Sequence, residues 1–302
     1  MCGMGRKIIL SIDGGGIRGI IPAVALAKLE QTTGKPARET VSFAAGTSTG
    51  ALLSAAVAAG IPAARIVEIY RKRGKEIFSP GAPWNTIRQY TTGHKYDTRN
   101  LYKVLKEEFG PAADWKLNDC PIDVLITATA LSDGKPWYFV RDNPKNARTT
   151  GTQKLLDCAT ASAAAPTYFE PWPLPAPVGK LVDGGVGVTG NPVYQACVEA
   201  FFYHDGYQPE ETTVISFGTG RFQSQKSPGS ILAWLNWVLD ELLHSPQDQQ
   251  TLLVRRHFTA TVFHRLDPTI KKDVDMDGVG EVEYLYGVGR EFAQGVDWPA
   301  ML

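Results

Sequence analysis

Short apolar runs alternate with longer amphipathic segments along most of the chain. Runs such as Lys7–Ile12 and "DVLITATA" (Asp123–Ala130) are short and rich in aliphatic residues, which predicts buried strands. Ile20–Thr33 has helical spacing, with Pro22 in its first turn and Gly34 directly behind it, which predicts a helix. The alternation favours an α/β fold, a three-layer sandwich in which helices cover both faces of a mostly parallel central sheet.

The same pattern places the other elements. Further strands are predicted at Val41–Ala45 and Pro136–Val140, and within "KLVDGG" (Lys180–Gly185), "TTVISFGTG" (Thr212–Gly220) and "FTATVFH" (Phe258–His264). Further helices are predicted at about Ala51–Ala59, Ala63–Lys75, Gln153–Ala165, Ile231–Leu243, Pro246–His257 and Glu281–Phe292. Since the chain has no repeat and no low-complexity linker, we expect one domain over residues 1–302.

Charge and composition exclude several classes of protein. The 31 basic and 31 acidic side chains balance, which argues against nucleic acid as the main partner. The sequence has no signal peptide and no apolar run long enough to span a bilayer, so we expect a cytoplasmic protein with at most peripheral membrane contact. Cys2, Cys120, Cys158 and Cys197 form no C-x-x-C pair, which favours reduced thiols.

A candidate nucleophile lies in "GTSTG" (Gly46–Gly50), which matches G-x-S-x-G. The motif stands between a predicted strand and a predicted helix, the setting in which a sharp turn exposes a serine hydroxyl. The helix that begins at Thr49 would point its positive end at an anion formed beside Ser48. The alternative is that Ser48 only caps this helix.

A serine needs a base, and Asp183 is the better candidate. It ends a predicted strand in "LVDGGVGVTGNP", where two glycines allow close approach of another loop. Burial beside Ser48 would raise the pKa of its carboxyl and make it a stronger base. Asp183 could instead be an Asx-turn residue. A Ser-Asp-His esterase that uses His264 or His257 also remains open, since both follow Asp183 in the chain.

The third motif is the glycine loop "DGGGIRG" (Asp13–Gly19). Its G-x-G-x-x-G spacing is typical of dinucleotide-binding loops, but such loops need an acid about 20 residues beyond the glycines. The available acid, Glu39, precedes the second predicted strand. Consecutive glycine amides could instead stabilise an oxyanion, with Arg18 as an anchor. A nucleotide-binding module that uses Gly14–Gly19 stays as the alternative.

These three motifs, in this order, resemble those of the patatin-like phospholipases, a family of lipid acyl hydrolases. Similar segments extend the resemblance over most of the chain: "ATASAAAPTYFEPW" (Ala159–Trp172), "ISFGTG" (Ile215–Gly220) and "FHRLDP" (Phe263–Pro268). The resemblance implies a patatin-like fold without metal or organic cofactor. It also implies an esterase of the phospholipase type acting on phospholipid or galactolipid acyl esters; a regulated effector or an acyltransferase would share the same motifs.

The resemblance also implies the site. Ser48 would be the nucleophile and Asp183 the base of a catalytic dyad, and an acyl-serine would form. The oxyanion hole would consist of Gly14, Gly15 and Gly16, supported by Arg18. The remaining residues of the motifs are Asp13, Gly19, Gly46, Gly50, Gly184 and Gly185.

Three other segments have ordinary interpretations. "DVDMDG" (Asp273–Gly278) begins like a calcium loop, but Tyr284 stands where such a loop needs glutamate, so we expect an acidic turn and no calcium dependence. The basic run Arg71–Lys75 is typical of a solvated helix face, or it could attract anionic head groups. Ile231–Leu243 could pack on the core or lie at a membrane interface.

Overall fold

A mixed β-sheet forms the centre of the protein. The computed structural model describes residues 6–79, 93–143, 145, 150–222, 229, 234 and 246–302. Its strands are β1 (Lys7–Ile12), β2 (Phe43–Gly46), β3 (Asp123–Ala130), β4 (Pro136–Val140), β5 (Trp172–Leu174), β6 (Gly179–Asp183), β7 (Thr212–Phe217), β8 (Arg221–Phe222), β9 (Val262–Leu266) and β10 (Thr269–Ile270). The short strands β8 and β10 pair with each other outside the central sheet.

Helices occupy the connections between the strands. They are α1 (Ile20–Thr33), α2 (Ala37–Thr40), α3 (Thr49–Ala59), α4 (Ala63–Glu68), α5 (Gly74–Ile77), α6 (Thr98–Phe109), α7 (Leu155–Ser162), α8 (Val193–Val198), α9 (246–257), α10 (Val282–Gln294) and α11 (Trp298–Met301). A π-helical turn, Ile69–Arg73, joins α4 to α5. Among the described residues, no helix has both the length and the apolar character needed to cross a bilayer.

The strand order places several loops at one edge of the sheet. The order is β5-β6-β3-β2-β1-β7-β9, and β4 pairs with β3 outside this sequence. Strands β3, β2, β1, β7 and β9 run parallel, so their carboxyl ends share one edge, where ligand sites of open α/β sheets form. At the other side of the sheet, β4 and β6 each pair antiparallel with β3, and β5 pairs antiparallel with β6.

Strand β6 lies end to end with β2. Residues 125 and 126 of β3 pair with both β2 and β4, and residues 128 and 129 pair with both β6 and β4. Because a strand has only two edges, β2 and β6 share one edge of β3. The last residue of β6, Asp183, therefore lies just beyond the point where the chain leaves β2 at Gly46.

Two apolar clusters pack on opposite faces of the sheet. Ile8, Leu10 and Ile12 of β1 contribute to a large cluster with α1, α3, α6 and α7. Ile9, between them in sequence, contributes to a second cluster with α8 and with Val254 of α9. Successive side chains of a strand point to opposite faces of the sheet, which explains this alternation. The predicted α/β class, with a mainly parallel sheet between helical layers, is confirmed.

Several predicted boundaries were wrong for local reasons. The helix predicted over Gln153–Ala165 ends at Ser162, since Pro166 disfavours helical backbone just before it. The strand predicted at Val41 begins at Phe43, because Val41 closes helix α2. Helix α6 was not predicted. The helix predicted at Ile231–Leu243 lies outside the described residues except for Trp234.

The basic run Arg71–Lys75 lies on a face with many ion pairs. Its pairs are Arg71 with Glu283, Lys72 with Glu68, and Arg73 with Glu76, Glu107 and Glu108. These carboxylates neutralise most of the positive charge that the sequence suggested could attract anionic head groups. The exposed pairs among them contribute about 0 to 1 kcal/mol each to stability.

Candidate active site

Ser48 lies in a sharp turn between β2 and α3. Its backbone has φ 55° and ψ −125°, a strained conformation for a residue other than glycine and one that functional sites retain. Gly46 and Gly50 permit the turn, because a side chain at Gly46 would overlap the Gly50 backbone and one at Gly50 would overlap the Ile12 carbonyl. The Ser48 side chain makes no capping hydrogen bond to α3, contrary to the alternative that it serves only as a cap.

Asp183 is the acidic neighbour of Ser48. The Gly185 N–H donates to Asp183 Oδ1 at 2.7 Å. Burial raises the pKa of the Asp183 carboxyl to about 6, although interactions with the Ser48 hydroxyl and with the Gly185 N–H act in the opposite direction. A carboxylate with this pKa is mostly ionised at neutral pH and is a stronger base than an exposed aspartate.

The end of helix α7 holds both residues in place. The Ser162 Oγ accepts the Ser48 N–H at 2.8 Å, and the Ser162 carbonyl accepts the Gly184 N–H at 3.3 Å. The Asp183 N–H donates to the Ala164 carbonyl at 3.0 Å. Because α7 stops at Ser162, the same short segment positions the nucleophile and the candidate base.

The glycine loop lies against the nucleophile. A Cβ at Gly14 would come within 3.1 Å of the Ser48 Cβ, and one at Gly15 would overlap the Thr219 side chain. The Gly14 N–H already donates to the Gly190 carbonyl at 3.0 Å, which corrects the prediction that it is a free oxyanion donor. Within the described part of the chain, the N–H groups of Gly15 and Gly16 have no acceptor.

Thr49 supplies a donor that sequence reasoning missed. Its N–H is the first of helix α3 and has no acceptor among the described residues. In serine hydrolases with this turn, the amide after the nucleophile is a usual oxyanion donor. The pattern G-x-S-x-G could have indicated it. Gly16 and Thr49 line the cavity beside Ser48, and their amides and that of the adjacent Gly15 have no acceptor among the described residues.

Arg18 and Gly19 complete the loop. Arg18 is buried, and its Nε donates to the Gly15 carbonyl at 3.5 Å, so this side chain helps to fix the loop backbone. Gly19 packs against the side chains of Thr49 and Tyr70, and any larger residue there would overlap them. The hydroxyls of Thr49 and Tyr70 are hydrogen-bonded to each other.

A buried ion pair anchors the start of the loop. Asp13 is fully buried, and its two carboxylate oxygens accept from Arg265 at 3.0 and 2.7 Å. Burial would lower the pKa of the Arg265 guanidinium, but the charges of Asp13 and Asp267 raise it, so the arginine stays charged. Arg265 directly follows the predicted segment "FTATVFH". The sequence could have indicated Arg265 as the partner of Asp13 only through the general need of a buried carboxylate for a cation.

Met276, in the acidic turn Asp273–Gly278, supports the other end of the loop. Its carbonyl accepts the Ile17 N–H at 2.8 Å, and its backbone lies directly against Gly16. Asp277 ties the turn to the protein, since its carboxylate accepts from the Tyr96 hydroxyl at 2.7 Å. No group of three or more His, Cys, Asp or Glu residues in the described ranges has a geometry suited to a metal ion.

The histidine alternatives are remote from Ser48. His264 lies in β9 and aligns through Ile215 and Leu10 with Ala44 of β2, three strand spacings or roughly 14 Å away. His257 ends helix α9, where its Nδ1 lies 3.0 Å from the Tyr194 hydroxyl. Within the described residues, no histidine lines the cavity beside Ser48.

An apolar cavity opens beside the nucleophile. Gly16, Ser48 and Thr49 form one end, and the far end lies among helices α3, α4 and α6. Its walls are almost entirely aliphatic and aromatic, with contributions that include Leu52, Leu53, Ile69, Ile77, Phe78, Leu101 and Leu105. Such a cavity suits a hydrocarbon chain, whereas the phosphates and ribose of a nucleotide would need polar partners.

Sequence comparisons agree with this geometry. The profile of the family described as patatin-like phospholipase matches residues 10–196. The cGAMP-activated phospholipase of Vibrio cholerae is 30% identical over 300 residues, which cover 89% of this chain and 83% of that protein. Patatin-17 of Solanum cardiophyllum is 28% identical over 294 residues, which cover 86% of this chain and 73% of that protein.

One mammalian relative is much longer than this chain. Calcium-independent phospholipase A2-gamma of Mus musculus is 28% identical over 287 residues, which cover 90% of this chain. The matched region spans 36% of that protein, so the chain corresponds to about a third of its length. The family match covers more than half of this chain and includes Ser48 and Asp183. This chain therefore belongs to the patatin-like phospholipase family of lipid acyl hydrolases.

Proposed function

We propose that this protein hydrolyses fatty acyl esters of phospholipids through a catalytic dyad of Ser48 and Asp183. The observation that carries the proposal is the interaction of the Ser48 hydroxyl with the buried carboxyl of Asp183, beside an apolar cavity that Ser48 lines. Family membership supports lipid ester hydrolysis as the reaction class.

The first half of the proposed reaction acylates the serine. Asp183 takes the hydroxyl proton while Ser48 Oγ attacks the ester carbonyl carbon. The amides of Gly15, Gly16 and Thr49 donate hydrogen bonds to the carbonyl oxygen as it becomes negative. Each well-placed donor of this kind contributes about 3 kcal/mol. The tetrahedral intermediate then expels the alcohol, which takes the proton back from Asp183.

The second half releases the fatty acid. Asp183, again ionised, removes a proton from a water molecule that attacks the acyl-serine carbonyl. The same three amides bind the second oxyanion. Collapse of this intermediate transfers the proton to Ser48 and frees the carboxylic acid. The cycle needs neither a metal nor an organic cofactor.

Product analysis on phospholipid vesicles tests the proposed function. We expect the protein to release free fatty acid and lysophospholipid in equal amounts, and the Ser48→Ala variant to release neither. A protein that cleaves neither vesicle phospholipid nor short soluble esters would contradict the proposal.

The pKa of Asp183 sets an expected pH dependence. The protonated carboxyl cannot accept the Ser48 proton, so kcat/KM for a soluble ester should rise through about pH 6 and level off above it. Below the midpoint, the rate should fall about tenfold per pH unit. Steady-state kinetics on folded protein from about pH 4.5 to 8 measure this profile. A midpoint near the ordinary aspartate value of about 4 would contradict the assignment of Asp183 as a buried base.

Contact with a lipid surface is part of the proposal. Leu131, Val186 and Val188 are 54, 41 and 54% exposed, and they lie at the sheet edge that carries Asp183. The Thr129 hydroxyl donates to the Val186 carbonyl, and the Leu131 N–H donates to the carbonyl of exposed Lys180. Apolar side chains next to a lysine suit the boundary between head groups and acyl chains.

A charge in this surface should separate vesicle hydrolysis from ester hydrolysis. We expect Val188→Asp to lower the rate on anionic vesicles by roughly tenfold, because the carboxylate opposes insertion, and to leave the rate on a soluble short-chain ester within twofold. Vesicle co-sedimentation measures the binding. Phe202→Asp is the matched control, because Phe202 is 63% exposed in the π-helical segment Glu199–Tyr203. This segment ends at His204, which contacts Asp123 at the opposite end of β3. Equal losses in both variants would contradict a role for this surface.

A further inference from the structure

We propose that the apolar cavity is an acyl channel closed at about ten carbons, with Ala56, Ile61 and Phe109 as the residues that set this length. The proposal rests on the proposed function, since it assigns the acyl chain of the same substrate to the cavity beside Ser48. It adds a chain-length class to that substrate.

Two helices run along the channel from the nucleophile. On α3, Thr49, Leu52, Leu53 and Ala56 line the cavity in helical spacing, and on α6 Leu101, Leu105 and Phe109 do the same. The segment before α6 is bonded to the loop after α7, because the Tyr96 N–H donates to the Tyr168 carbonyl beside the active site. Both helices therefore start near Ser48 and end at the far side of the cavity.

The far end of the channel has a built floor. Helix α3 ends at Gly60 in the left-handed conformation, and the Ile61 N–H folds back onto the Ala56 carbonyl at 2.9 Å. This turn brings Ile61 across the end of the helix, where it lines the cavity with Ile66 and Phe109. Arg65 bridges the two sides there through Glu108, with contacts of 2.9 Å from both Nε and Nη2.

Helix geometry gives the length of the channel. Ala56 lies seven positions after Thr49, and Phe109 lies eight positions after Leu101, which corresponds to roughly 10 to 12 Å at the α-helical rise. An extended chain advances roughly 1.2 Å per covalent bond, so the channel holds about eight to ten carbons beyond the ester carbonyl. Carbons beyond that number gain no further burial.

A chain-length series on soluble esters tests the channel. With p-nitrophenyl esters from acetate to palmitate, kept below their micellar concentrations, kcat/KM should rise roughly two- to fourfold per added methylene and stop rising near ten carbons. Ala56→Leu should lower the chain length at which kcat/KM stops rising, called the break, by three or four carbons. Phe109→Ala should move it up. Ala59→Leu, on the same helix but outside the cavity lining, is the matched control and should keep the wild-type break.

Binding to the Ser48→Ala variant separates this proposal from the proposed function. Calorimetry with saturated fatty acids should give affinities that rise with chain length and level off near ten carbons, even if the wild-type protein cleaves no ester. An ester series or an affinity series that rises steadily to sixteen carbons would overturn the channel. An unchanged break in both folded Ala56→Leu and folded Phe109→Ala would also overturn it.

Discussion

Ser48→Ala is expected to lower kcat for any ester by roughly 10⁴-fold or more. The substitution removes the only atom that can form the acyl-enzyme, and the remaining amides and cavity cannot replace covalent catalysis. Because the Ser48 side chain makes no capping bond to α3, the variant should fold like the wild type. Hydrolysis of a short p-nitrophenyl ester, followed to the limit of background, measures the loss.

Ser54 provides the matched control for this substitution. It lies on helix α3, which begins directly after Ser48, and it is fully buried; among the described residues its hydroxyl has no hydrogen-bond partner. Ser54→Ala should therefore keep wild-type kcat and KM. A Ser48→Ala protein that retains more than about a hundredth of the wild-type rate would mean that a different nucleophile acts.

Asp183→Asn should combine a large loss of activity with a gain of stability. Without a base, kcat should fall by roughly 10² to 10⁴-fold. The folded protein binds the Asp183 proton more tightly than the unfolded chain, since the pKa rises from 3.8 to about 6. The buried carboxylate thus destabilises the fold by up to about 3 kcal/mol above pH 6, and this cost disappears as the pH falls from 6 towards 4. Chemical denaturation at two pH values measures the difference.

Asp157→Asn controls for the removal of a partly buried carboxylate elsewhere. Asp157 accepts from Trp172 Nε1 at 3.1 Å, and burial raises its pKa as well, but it lies outside the candidate site. This variant should keep full activity. If Asp183→Asn stayed active and His264→Ala were inactive, a triad would replace the proposed dyad despite the distance of β9 from Ser48.

The sequence could predict the residues whose roles are local. Ser48 follows a strand and lies between two glycines, and Asp183 ends a strand just before two glycines. The chemistry of such turns can be recognised from a few neighbouring positions. The strands β1, β3 and β4 were predicted with their observed bounds, because buried apolar runs have clear ends. The sequence predicted the glycine loop as an oxyanion loop, but it could not indicate which amides of the loop are free to donate.

Long-range contacts explain the features of the site that the sequence could not predict. Gly14 lost its predicted role because the Gly190 carbonyl, far along the chain, accepts its N–H. Arg265 and Met276 act on the glycine loop from more than 240 positions away, a separation that no local pattern encodes. Helix α6 was missed although its apolar residues have helical spacing, and without it the far end of the cavity could not be foreseen.

The most direct test of the central claim is the intact mass of the protein after treatment with a fluorophosphonate. We expect one covalent adduct on the wild-type protein, none on Ser48→Ala, and a much slower reaction on Asp183→Asn, because the hydroxyl attacks only when a base removes its proton. An adduct that persists in Ser48→Ala, or one that forms at the wild-type rate in Asp183→Asn, would contradict the dyad of Ser48 and Asp183.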